Sequence, residues 1–169
     1  PSGLEIAGSK LYLHRSSVPA RPPGQHDDQA AAVNALPKGT TFTASISFDN
    51  LTDAEVGSLI AALDPRQLSL AGHPSFESAA LKIGMGKPVG LGSIRCAVKV
   101  IDIDRCARYS SLSDEGERPL SEKEVAGLVA DFVRAMEDNP GGSVSGHWEA
   151  LAGVLNFAGT SALNAIYPP

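Results

Sequence analysis

A length of 169 residues sets the scale of one domain, or one domain with an appendage. Hydrophobic residues at 43% and charged residues at 20% exclude a wholly disordered chain, and aromatics at 5% leave aliphatic and alanine side chains to fill the core. The net charge of −5 excludes nucleic-acid binding driven by overall charge. Charge is unevenly placed, however. Lys82, Lys87, Arg95, Lys99, Arg105 and Arg108 crowd one segment against only Asp102 and Asp104, ahead of an acidic tail. No apolar run approaches the ~18 residues of a membrane span. Residues 1–10 lack a basic end followed by an apolar stretch, so no secretory signal is expected. Cys96 and Cys106 have no histidines at ligand spacing, so neither a disulfide framework nor a zinc site is expected. A reducing, cytoplasmic setting with two free thiols, no metal and no cofactor is the simplest expectation.

In chain order, residues 1–39 read as loop-rich, with a short extended run around Tyr12. Pro19, Pro22, Pro23 and Gly24 then predict a mobile surface loop near 16–39. From Thr41 to Phe48, Phe42, Ala44, Ile46 and Phe48 alternate with Thr and Ser, which predicts a strand covered on one face only. Thr52-x-x-Glu55 is a capping box, and Val56, Leu59, Ile60 and Leu63 then form one helical face that Pro65 stops. Gln67 to Leu70 is read as a short strand and Gly72 to Ala80 as a loop. Ile94, Cys96, Val98 and Val100 alternate with Arg95, Ala97 and Lys99, a second strand, with a bulge or strand end at Val100-Ile101. The Thr41–Phe48 and Ser93–Val100 strands are expected in one sheet, with the Val56–Leu63 stripe on its apolar face. A second capping box, Ser121-x-x-Glu124, opens a helix with Val125, Leu128, Val129, Phe132, Val133 and Met136 on one face. Trp148, Leu151, Ala152 and Leu155 mark another, the two packing as a hairpin against the core or a partner.

The least ordinary segment is Gly84-Met-Gly86-Lys87-Pro-Val-Gly90-Leu-Gly92, which runs straight into a strand. Glycine permits positive φ and close backbone approach, and successive N–H groups in such a loop can cup an anion. A P-loop would need glycine at Leu81 and Ser or Thr at Pro88; a dinucleotide fingerprint would need glycine at Val89 and a helix after it. Both fail, leaving an anion-binding loop or a plain glycine-rich turn.

The order of the strand from Phe42 to Phe48, the helix through Ala54 to Ile60, and the G-x-G-x-x-x-G-x-G loop leading into a strand resembles the CRISPR-associated RAMP superfamily. Arg108-Tyr109 after the last strand, and Gly8-Ser-Lys10-Leu-Tyr12-Leu-His14 upstream, fit the same pattern. The resemblance spans roughly Gly8 to Tyr109 and corresponds to the C-terminal, glycine-rich-loop part of the family pattern. It implies an α+β fold with a ferredoxin-like (RRM-like) sheet and packed helices over residues 1–110. A helical C-terminal extension would follow over residues 111–169. It also implies an RNA-binding module of a CRISPR effector ribonucleoprotein in antiviral defence, with CRISPR RNA and other RAMP subunits as partners. Gly84, Gly86, Gly90 and Gly92 would offer N–H groups to phosphates and Lys87 a point charge. Arg95 and Lys99 would extend the track, and Tyr12 would stack on a base. Some family members cleave CRISPR RNA without metal through a histidine, a role for which His14 is the candidate. The adjacent His26-Asp27-Asp28 reads as a solvated turn. Three hypotheses stand: a non-catalytic RNA-binding module, a metal-independent endoribonuclease, and a protein-interaction domain whose glycine loop is only a turn.

Overall fold

A computed structural model describes residues 11–17, 33–138 and 145–160. Gly8 to Lys10, the prolines at 19, 22 and 23, and His26-Asp27-Asp28 lie outside the described residues. The fold is mixed α and β. In order, it comprises α1 (Asp53–Leu63), α2 (Gln67–Leu70), β1 (Leu81–Lys82), β2 (Ser93–Ile94), β3 (Ile101–Ile103), α3 (Arg105–Ser110), β4 (Glu117–Pro119), α4 (Glu122–Glu137), α5 (Ser145–Leu155) and α6 (Phe157–Thr160). Single 3-10 turns occur at Pro74–Phe76 and Lys87–Val89.

Both capping boxes form as the sequence requires. Thr52 and Ser121 each accept from the backbone N–H three residues on, while Glu55 and Glu124 reach back to the cap N–H. These bonds satisfy donors that a helix start otherwise leaves without partners. The centre of the molecule is the crossing of α1 and α4. Val56, Ile60 and Ala61 meet Val125, Val129 and Val133, joined by Leu68, Phe76, Val100, Trp148 and Ala152. Gly57 lies at the crossing: a Cβ there would stand 2.0 Å from the Leu128 carbonyl oxygen, so glycine lets the two backbones touch. Burying side chains such as Ile60 and Val129 contributes about 1.5–3 kcal/mol each. The core therefore draws on both sides of residue 110. Trp148 of α5 meets Phe76 and Phe132 edge-on, with ring centroids 6.1 and 6.0 Å apart, so α5 packs against this core.

Several sequence expectations are corrected. Gln67–Leu70 is helical, because Pro65 and the buried Asp64 start a new turn there. The predicted single sheet is absent. Among the described residues there are instead two antiparallel pairs, β1–β2 and β3–β4. Thr41–Phe48 joins neither, and residues 95–100 are extended but lie outside both ladders. The stripe on α1 packs on α4 rather than on a sheet, because the small residues Gly57 and Ala61 let a helix come closer than a pleated strand needs. No break occurs at Val100-Ile101: Leu120 N–H donates to Val100 C=O in register with the β3–β4 pair, so the extended run continues to Ile103.

Buried Asp64 fixes the end of α1. Arg66 donates to both its carboxylate oxygens at 2.7 and 2.9 Å, and the same guanidinium donates to Cys96 C=O at 2.7 Å. This ties the helix layer to the extended segment 95–100, whose Cys96 and Val98 are half-buried and whose Val100 is buried. Among the described residues, no helix is long and apolar enough to cross a membrane.

Candidate nucleic-acid interface

The glycine segment forms the tip of the β1–β2 hairpin, with Leu81 opposite Ile94 and Lys82 opposite Ser93. Gly84, Gly86, Gly90 and Gly92 all have positive φ, between 72° and 98°. Inside the tip, Val89 and Leu91 N–H donate to Gly86 C=O, Gly90 N–H donates to Lys87 C=O, and Ile83 N–H donates to Gly92 C=O. Lys82 reaches across from β1 and donates to the carbonyls of Gly90 and Leu91, each at 3.0 Å. Burial, then the neighbouring Arg15 charge, holds the Lys82 amine below its ordinary pKa.

The four glycines divide by cause. A Cβ on Gly92 would lie 2.0 Å from Ile83 C=O, one on Gly86 would press Leu91, and one on Gly90 would press Arg15. These three are required by the loop's own packing. Gly84 differs, since a Cβ there meets nothing within 4 Å. The N–H groups of Gly84, Met85, Gly86 and Lys87 donate to no group among the described residues. They form a continuous run at the outer half of the tip, where Gly84 and Met85 are exposed.

Positive charge gathers around this hairpin. Lys87 opens the 3-10 turn, Arg15 packs on Gly90, and Lys82 and Arg95 both act on His14. The Arg95 guanidinium lies over the Phe157 ring at 5.7 Å from its centroid, a cation–π contact that fixes its direction. Lys99 is exposed further along the same extended run, about 13 Å away at ~3.3 Å per residue. Tyr12 is half-buried two residues before His14. Of this cluster, the sequence places Lys82 in the basic segment without giving it a site role, and it gives no sign of Arg15. Lys82 lies two residues before the first loop glycine, whereas Arg15 has no local signal, since only the long-range packing of residues 11–17 brings it there.

His14 is buried, at 1% exposure. Its Nδ1 lies 2.9 Å from Ser93 Oγ and its Nε2 lies 3.1 Å from Ala80 C=O. Because a carbonyl only accepts, Nε2 carries the proton and Nδ1 accepts from the Ser93 hydroxyl. Burial is the main cause that lowers its pKa, opposed by the Ala80 carbonyl and aided by Lys82 and Arg95. The Phe157 ring closes the site at a centroid distance of 5.4 Å. With both ring nitrogens engaged and the ring covered, His14 pins residues 11–17 to the base of the hairpin. Among the described residues, no three His, Cys, Asp or Glu side chains converge to hold a metal. Comparison of the chain with protein-family models, curated proteins and solved structures gives no match.

Proposed function

We propose that the chain is an RNA-binding module of the CRISPR-associated RAMP type, holding the phosphates of CRISPR RNA with the tip of the β1–β2 hairpin. One observation carries this reading: four consecutive N–H groups at 84–87 that meet no acceptor among the described residues, at the tip of a hairpin that also carries Arg15, Lys82, Lys87 and Arg95. Backbone donors and flexible ammonium groups match phosphate oxygens in charge and direction but read no base edges. The acidic remainder of the chain keeps the attraction local and suits a subunit that shares its RNA with neighbouring RAMP subunits in the cytoplasm. The resemblance supplies the type of RNA and the ferredoxin-like arrangement. The covered His14 favours a binding role over cleavage.

The test is direct. The purified chain is examined for retained RNA by its absorbance ratio at 260 and 280 nm, then titrated at low salt with two fluorescent single-stranded RNAs of unrelated sequence. Similar affinities for the two RNAs are expected. A chain that retains no RNA and binds neither oligonucleotide at low salt refutes the proposal.

A further inference from the structure

Thr41–Phe48 is an extended segment without a sheet. Every residue in it is exposed, including Phe42 at 70%, Ile46 at 53% and Phe48 at 43%. None of its backbone N–H or C=O groups makes a hydrogen bond with a described residue. Its period-two pattern nonetheless gives it one apolar face and one face of Thr and Ser.

A second open edge lies in residues 95–103. The pairs that exchange bonds with the β4 side are Val100–Leu120 and Asp104–Gly116, so the even-numbered residues point their backbone groups towards β4. Cys96 C=O, also even, is taken by Arg66. Strand geometry then turns the backbone groups of Arg95, Ala97, Lys99, Ile101 and Ile103 to the opposite edge, where no described strand pairs with them. Both segments end at one place, where Arg105 donates to Asp49 at 2.8 Å, yet no ladder joins them within the chain. An exposed edge of this length is a template for another strand.

We infer that two copies of this chain associate by strand addition, Thr41–Phe48 of one copy lying along the 95–103 edge of the other. Length and charge favour this occupant. Eight residues match a nine-residue edge. That edge presents Arg95 and Lys99, so pairing it with its own copy risks setting like charges opposite each other. Thr41–Phe48 carries no charge, and its hydroxyl oxygens can accept from both cations. Its Phe and Ile side chains would meanwhile join Cys96, Val98 and Val100 over the helices.

The test uses the whole chain in sedimentation velocity and light scattering across a concentration series. Proline cannot donate to a ladder. Thr43→Pro with Ile46→Pro therefore blocks both edges of the strand, at positions that make no bonds with the described residues of the single copy and so leave its melting temperature unchanged. Ala97→Pro blocks the acceptor edge. Wild type is expected to dimerise, each blocked variant to stay monomeric, and an equimolar mixture of the two to recover a 1:1 dimer. Should Ala97→Pro fail to fold, the strand variant alone decides. A wild type that remains monomeric at every concentration overturns the inference, as does a dimer that survives the two strand prolines. Neither result bears on RNA binding by the hairpin tip, which these substitutions do not touch.

Discussion

Gly57→Ala tests the helix crossing because two effects of opposite sign compete there. In an exposed helix interior, replacing glycine by alanine stabilises by about 1 kcal/mol through helix propensity. At position 57 the new Cβ would lie 2.0 Å from the Leu128 carbonyl oxygen and 2.6 Å from its carbon. An ordinary contact needs more than 3 Å, and the obstacle is α4 backbone, which cannot rotate aside. The helices must part by about 1 Å, a gap that forfeits a quarter to a half of each dispersion contact among Val56, Ile60, Val125 and Val129. Overpacking of this kind costs about 1–3 kcal/mol, so after the propensity gain of about 1 kcal/mol the net effect is a loss of up to about 2 kcal/mol. Gly127 is the control. It sits on the exposed face of α4 with open space where a Cβ would stand, and Gly127→Ala should stabilise by up to about 1 kcal/mol. Urea denaturation of both variants reads the two signs together. A Gly57→Ala protein as stable as Gly127→Ala would refute the close crossing.

Two further predictions follow from buried groups. His14 has a folded-state pKa below its ordinary 6.5, so the unfolded chain binds the proton more readily. Its contribution is intact above pH 6.5 and is lost as pH falls from there towards the folded value; thermal melts between pH 7 and 5 should show this slope, and His14→Gln should remove it. Trp148 is buried, and its indole N–H lacks a hydrogen-bond partner among the described residues. Its emission should be blue-shifted, and Trp148→Phe, which removes the orphaned donor while keeping a ring against Phe76 and Phe132, should cost far less stability than the roughly 3–5 kcal/mol of Trp148→Ala.

Local signals in the sequence were reliable and long-range ones were not. The capping boxes at Thr52 and Ser121 and the valine stripe of α4 could be read directly, because caps and helical periodicity are set by residues three or four apart. The alternation at 41–48 and 94–100 predicted strands, but 41–48 enters no ladder and of the second run only Ile94 does. It could not give the pairing, since period two specifies a face and not a neighbour. Gln67–Leu70 was misread because four residues are too few to show a period, and the carboxylate of Asp64 decides the turn. At the hairpin tip the glycine spacing revealed the positive-φ positions. Only the packing separates Gly86, Gly90 and Gly92, which the loop itself requires, from Gly84, which faces open space.

The RNA-binding role of the hairpin tip is tested most directly by the salt dependence of RNA affinity for wild type and Lys87→Ala. The Lys87 side chain makes no hydrogen bond among the described residues, so its removal leaves the fold intact. If its ammonium neutralises one phosphate, the slope of log affinity against log salt should become shallower by about 0.7, by a similar amount for unrelated single-stranded RNAs. An unchanged slope and affinity in Lys87→Ala, with the melting temperature preserved, would contradict phosphate binding by the loop and leave it a glycine-rich turn.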